Sequence, residues 1–229
     1  MNWILKFFTS SIGQKLIMSL TGLFLITFLP VHLAGNVQLL FSDGGEAFNK
    51  YAYFMTNNSF IKFTSYGLYA FILLHMLQGI VIWLTNKSAK GSKYAVSNVQ
   101  TSFASRNMGP LGMILLVFLV VHMGQFWFKM KVGWLANIQY EGYDHAVKNL
   151  YTPVEAAFTN PLFVIFYVAC MVAIGLHLSH GFQSAFQTLG LNHKKYTPII
   201  KGLGLAYSII IPLGFAAIPV IFFIKNMMG

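Results

Sequence analysis

Four histidines, His32, His75, His122 and His177, sit one each inside separate long apolar stretches of a 229-residue chain. An imidazole in hydrocarbon is costly and needs a partner. Any one of them alone serves equally well as a hydrogen bonder between helices. Four on successive stretches suggest two pairs, and two pairs of neutral imidazoles are what two bis-histidine haems require. Small residues lie nearby: Ala34-Gly35-Asn36 follows His32, Gly181 follows His177 by one turn, and Gly22 shares the first stretch. Small residues let a flat macrocycle approach a helix, and they serve plain helix packing as well.

The elements that must carry these rings follow from composition. The chain is 56% hydrophobic and 9% charged, with mean hydropathy +0.64. A soluble domain carries about 25% charged residues. The apolar stretches run roughly over 16–40, 63–85, 109–130, 161–188 and 203–224, each reaching the ~20 residues that span a bilayer as a helix. The expectation is an all-α membrane protein, a single membrane domain over 1–229, with a five-helix bundle enclosing two haems. The weak alternation of a β-barrel is absent. The single cysteine, Cys170, permits no disulfide within the chain and reads as a small apolar filler. No Cys-x-x-Cys-His exists for covalent haem attachment. The first fifteen residues do not make a secretory signal. Trp3, Ile4, Leu5, Phe7 and Phe8 with Lys6 suit a short lead-in lying along the membrane surface.

Charge sorts by loop. Lys6 and Lys15 precede the first helix; Lys87, Lys90, Lys93 and Arg106 lie between the second and third; Lys194, Lys195 and Lys201 lie between the fourth and fifth. The acids Asp43, Glu46, Glu141, Asp144 and Glu155 all fall in the opposite loops. The positive-inside bias puts the N-terminus in the cytoplasm and the C-terminus outside; the membrane expected is a bacterial inner (cytoplasmic) one. The basic face suits orientation, anionic lipid or an acidic docking partner. At 1.5 Å per residue, His32 lies about 25 Å from Lys15 and His122 about 24 Å from Arg106, both near the outer side. His75 and His177 each lie roughly 20–25 Å from the outer ends of their helices, at mid-membrane or deeper. Depth pairs His32 with His122 and His75 with His177. The fifth helix has no histidine and reads as a packing element.

His180 lies three residues after His177, and either could face the bundle; His145 and His193 read as loop residues. Haem propionates want cationic and hydroxyl partners. Candidates at the cytoplasmic edge are Arg106, the only arginine, with Ser10, Ser11, Gln14 and Lys15 on the first helix. Gln183, Ser184, Gln187 and Thr188 stand at the same level on the fourth. All of these serve equally as helix caps and positive-inside residues. No Gly-rich nucleotide loop, Walker sequence or Rossmann pattern is present, and no Cys cluster for an iron–sulfur centre. The chain alone therefore cannot oxidise a soluble metabolite through a flavin. It can pass electrons or ions across the membrane, or electrons to a lipid-soluble carrier.

Ser10-Ser11-Ile12-Gly13-Gln14-Lys15, Met18-Ser19-Leu20-Thr21-Gly22-Leu23 and His32-Leu33-Ala34-Gly35-Asn36 form an ordered set with His75, Ser105-Arg106-Asn107-Met108, His122 and His177-Leu178-Ser179-His180-Gly181-Phe182. This set resembles the one-chain, dihaem cytochrome b membrane anchor (b558 type) of succinate dehydrogenases and fumarate reductases, and the resemblance covers essentially the whole chain. It implies two haem b cofactors, the proximal held by His75 and His177 and the distal by His32 and His122. On the fourth helix the family pattern is His-x-x-x-Gly before an apolar residue, which His177 meets with Gly181 and Phe182 and His180 does not. The resemblance further implies a flavoprotein and an iron–sulfur subunit as partners on the cytoplasmic face. Electrons would pass to menaquinone or another quinone, so the chain is the electron-transfer subunit of the enzyme and itself carries no catalytic residue. Membrane lipids are the remaining partner, and nucleic acid is not one. Some fumarate-reducing members carry an acid two residues before the fourth ligand; here that position is Gly175, which favours succinate oxidation and puts a side-chain proton path there in doubt. The family's quinone-site acid near the distal haem has no clear counterpart here; Glu46 is the nearest candidate by loop. The alternatives are the dihaem cytochrome b of another quinone-linked dehydrogenase, such as a hydrogenase or formate dehydrogenase, and a proton-coupled transporter or channel with a histidine relay. A transporter often shows an internal repeat and broken helices; no convincing repeat exists here, though Pro30 could bend the first helix.

Overall fold

Hydrocarbon forces a chain to close its own backbone hydrogen bonds, and each long apolar stretch does so as a helix. The computed structural model describes residues 3–89 and 102–228. Lys90 and Lys93 lie outside the described residues, as do the side chains of Ile4 and Leu5. The helices are α1 (Trp3–Thr9), α2 (Ser11–Val37), α3 (Glu46–Asn57), α4 (Ser59–Ala89), α5 (Phe103–Arg106), α6 (Met108–His122), α7 (Lys129–Lys131), α8 (Tyr151–Phe158), α9 (Pro161–Thr188) and α10 (Thr197–Met228). Among the described residues, five units are long and apolar enough to cross a membrane: Ser11–Leu40, Ser59–Ser88, Met108–Lys131, Pro161–Thr188 and Thr197–Met228. The protein is an all-α, multi-pass membrane bundle. Trp3, Phe7 and Phe8 of α1 are exposed, beside exposed Lys6.

Cap chemistry decides where the helices begin. Ser10 Oγ accepts from Gly13 N at 3.0 Å, so α2 starts at Ser11 rather than near 16. Asn58 Oδ1 accepts from Phe60 N at 3.0 Å and Ile61 N at 3.1 Å, so α4 starts at Ser59 rather than near 63. Asn160 caps α9 through Leu162 N at 2.9 Å, with Pro161 at the first helical position. There the expected and observed bounds coincide. α10 runs past its apolar window at both ends, taking in Lys201 and Lys225.

Between helices, α9 is the central element, packed on α2, α6 and α10, while α2 also packs on α4. Pro30 leaves α2 continuous. It has no N–H for the Ile26 carbonyl one turn earlier, and the Tyr207 hydroxyl of α10 donates to that carbonyl instead. The main buried cluster sits at the end of the bundle covered by α3 and α8, where Leu39, Phe48, Phe126, Val154, Phe158, Val164, Tyr167, Ile218 and Phe222 meet. Exposed Phe60, Phe63, Leu73, Leu77 and Leu84 on α4 present apolar surface outward, as hydrocarbon requires.

The loops on that side hold structure that periodicity did not reveal. Besides α3 and α8, β1 (Asn137–Ile138) and β2 (Val147–Lys148) pair antiparallel, Asn137 opposite Lys148 and Ile138 opposite Val147. Asn49 of α3, 1% exposed, ties them together. Its Nδ2 donates to the Tyr140 hydroxyl at 2.8 Å and Asn149 Oδ1 at 3.2 Å; its Oδ1 accepts from Leu150 N at 2.9 Å and Tyr151 N at 3.0 Å. One side chain thus satisfies two backbone donors at the entry to α8. Replacing it strands buried polar groups, each at a cost of about 1–3 kcal/mol. Asn49→Ala is expected to lower the thermal midpoint of the detergent-solubilised protein through a loss on the order of 2–3 kcal/mol; an unchanged midpoint would show that the knot carries no stability.

Candidate functional site

Up-and-down topology brings the four intramembrane histidines to the inner faces of α2, α4, α6 and α9, at two levels. The His32 and His122 rings lie 5.8 Å apart, centroid to centroid, with planes at 85°. The His75 and His177 rings lie 6.3 Å apart, with planes at 71°. On α2, His32 lies eleven residues beyond Thr21, which touches His75; on α9, His177 lies ten residues beyond Tyr167, which touches His122. Both helices place the levels about 15–17 Å apart.

His32 stacks on Phe28 at 5.1 Å and meets Phe215 of α10 at 5.5 Å. His122 stacks on Phe118 at 5.5 Å, with Phe126 at 5.5 Å on the next turn. The fifth helix therefore contributes an aromatic wall as well as packing. Directly after His122 the helix widens into a π segment, Met123–Phe128. Such segments occur often at functional sites. This one carries Phe126 into the buried cluster.

The second nitrogen of each ring decides what the first can do. Thr21 Oγ1 lies 3.1 Å from His75 Nδ1, Tyr167 Oη lies 3.3 Å from His122 Nδ1, and Asn36 Nδ2 lies 3.2 Å from His32 Nδ1. His177 Nδ1 is buried and has no hydrogen-bond partner among the described residues; the same holds for Gln78 Nε2, one turn along α4 from His75. Asn36 differs from Thr21, because its amide also donates to the His32 carbonyl at 2.7 Å. As it stands, that amide leaves the proton on Nε2 of a neutral His32, so ligation through Nε2 requires it to turn.

Two imidazoles facing one metal through bonds of ~2 Å put their ring centroids about 6 Å apart, and both observed separations fall at this value. Among the described residues no third His, Cys, Asp or Glu joins either pair. The donor set is then two imidazole nitrogens per site, which would suit a metal whose other ligands come from a macrocycle. The Nδ1 partner of His75 and the unpartnered, buried Nδ1 of His177 fit that group.

The remaining sequence candidates separate. His180 is half-buried, and its Nε2 lies 3.5 Å from Ser184 Oγ; the ring beside His75 is that of His177. Ser11, Lys15 and Arg106 are exposed at the starts of α2 and α6, and their side chains hold no hydrogen bond or ion pair among the described residues. Glu46 pairs with Lys50 at 2.6 Å on α3. His145 is an exposed loop residue against Tyr53 and Tyr143, at ring separations of 4.3 and 4.8 Å. His193 is exposed and accepts from Lys195 N at 3.2 Å. Cys170 is buried.

Gly175 faces α10. A Cβ there would stand 2.9 Å from the Ser208 carbonyl oxygen and 3.7 Å from Pro212 Cγ. Pro212 has no N–H for that carbonyl, so the freed group and the missing side chain let the two helices close. Sequence reasoning treated position 175 only as a family variable; the close approach gives it a packing role. Thr21, Tyr167 and Phe215 were also missed as ring partners. Asn36 alone had a local signal, four residues from His32 on one helix face.

Comparison with protein-family models, with curated proteins and with solved structures gives no match for this chain. Gly175→Glu is expected to destabilise the α9–α10 contact by about 1–3 kcal/mol, the usual cost of overpacking. A thermal melt in detergent reads this, and a midpoint equal to that of the unaltered protein would contradict the close packing.

Proposed function

We propose that this chain is the dihaem cytochrome b membrane anchor of a succinate:quinone oxidoreductase. The observation that carries the reading is the pairing of four histidines from four helices at two levels, with ring separations of 5.8 and 6.3 Å. His75 and His177 would hold the proximal haem b, and His32 and His122 the distal one. Haem when bound supplies reversible one-electron transfer, with iron kept six-coordinate by two imidazoles so that no position is open to oxygen or substrate.

The chain's own residues set the rest. α2, α4, α6 and α9 fix the rings across the bundle, at levels about 15–17 Å apart, and so would hold the two groups one above the other. Phe28, Phe118 and Phe215 wall the upper pair and exclude water. Ser11, Lys15 and Arg106 stand at the membrane edge nearest the lower pair, free to meet propionates there. Gly175, packed on α10, offers no side chain to carry a proton.

Orientation rests on charge. Nine basic residues and no acid lie on the side where α2, α6 and α10 begin; six lysines and all five acids lie on the other. By the positive-inside bias the first side would face the cytoplasm, the membrane in this reading being a bacterial inner one. It is the side offered to an iron–sulfur subunit and its flavoprotein, which would carry the chemistry on succinate or fumarate. Electrons would then run through the proximal and distal haems to a quinone, menaquinone in this reading.

The purified protein is expected to give a b-type reduced-minus-oxidised spectrum and about two haems per chain by pyridine haemochrome. His177→Ala should lose one haem and His180→Ala neither. A haem-free protein sinks the reading, and the reverse variant result reassigns the ligand on α9.

A further inference from the structure

We infer that Thr21 is a positioning residue for His75, fixing that imidazole with its proton on Nδ1 and a bare Nε2 for iron; this rests on the haem reading above. The argument is proton bookkeeping. A threonine hydroxyl has one hydrogen to give and two lone pairs to receive with. Thr21 Oγ1 lies 2.7 Å from the Ile17 carbonyl and 3.2 Å from that of Met18, acceptors that can only take its hydrogen. With that hydrogen on the Ile17 carbonyl, the nearest acceptor, the hydroxyl accepts from His75, 3.1 Å away. Nδ1 must donate, and the neutral ring has no second hydrogen for Nε2. Thr21 is 4% exposed, so water does not compete for the contact.

The neighbouring residue fixes the ring's position as well as its proton. A Cβ at Gly22 would lie 3.2 Å from His75 Cε1, so the imidazole rests against the backbone of α2 at this point. Gly22 admits the ring, Thr21 meets its Nδ1, and the His177 ring lies 6.3 Å away, centroid to centroid. At the other level the contacts differ: Tyr167 Oη lies 3.3 Å from His122 Nδ1, and Asn36 presents a donor to His32 Nδ1. An accepting partner on Nδ1–H makes an imidazole more basic and favours ferric iron.

Thr21→Val removes the hydroxyl at nearly constant shape, and Thr21→Ser retains it. Potentiometric titration of the purified protein, followed by haem absorbance, resolves two midpoint potentials. In Thr21→Val one potential is expected to rise while the other stays, which also shows the bundle intact. The affected haem should transfer to a competing apoprotein acceptor on the order of 10- to 100-fold more readily. Thr21→Ser should restore both behaviours. Two unchanged potentials with unchanged haem retention in Thr21→Val would overturn the inference and leave the haem reading standing. An unaltered protein without haem would overturn the reading and the inference together.

Discussion

An imidazole inside hydrocarbon must be given a partner, and this bundle is arranged around four of them. In water a stray histidine on a helix face costs little. In lipid the ring has no solvent to fall back on, so helices carrying it are held to positions where its nitrogens are met. His75 is met by Thr21, His122 by Tyr167 and His32 by Asn36. Each of these contacts satisfies one nitrogen and leaves the other to face inward. The histidines consequently fix helix rotation and depth as strongly as any apolar contact here, because lipid tails are as apolar as the leucines and give no hydrophobic drive for helices to associate.

What holds the frame beneath the rings is close backbone approach. Pro30 and Pro212 each free a carbonyl inside a spanning helix, and each freed group is used by a neighbour. The Tyr207 hydroxyl reaches the Ile26 carbonyl, and Gly175 lies against the Ser208 carbonyl. Both devices act between α10 and the histidine-bearing helices α2 and α9. The helix without a histidine is thus the one that locks two of the four that have one. At the α3/α8 end a buried aromatic cluster and the Asn49 knot close the bundle, so the His32–His122 level lies under a packed cap.

The frame was readable from residue types because lipid makes few demands and makes them strongly. Twenty-residue apolar stretches can only be helices, and charge sorted by loop sets which ends belong together. Depth along those helices then put His32 with His122 and His75 with His177, the same rings the fold brings within about 6 Å of each other, centroid to centroid. Helix starts were misplaced by several residues at Ser11 and Ser59, since caps at Ser10 and Asn58 extend the helices beyond the apolar windows. The partners of the rings were not legible. Thr21 and Tyr167 act on histidines 54 and 45 residues away, across helix interfaces whose rotation no local pattern fixes. Asn49 was silent for the same reason, its bonds spanning about a hundred residues of chain.

The central claim is that the paired rings are axial ligands of two irons, and the electron paramagnetic resonance spectrum of the oxidised, purified protein tests it most directly. Axial imidazole planes near perpendicular make a low-spin ferric signal strongly anisotropic. With planes at 85° and 71°, two such low-spin signals of equal intensity are expected. A high-spin ferric signal, a single low-spin species, or no haem iron at all would contradict it.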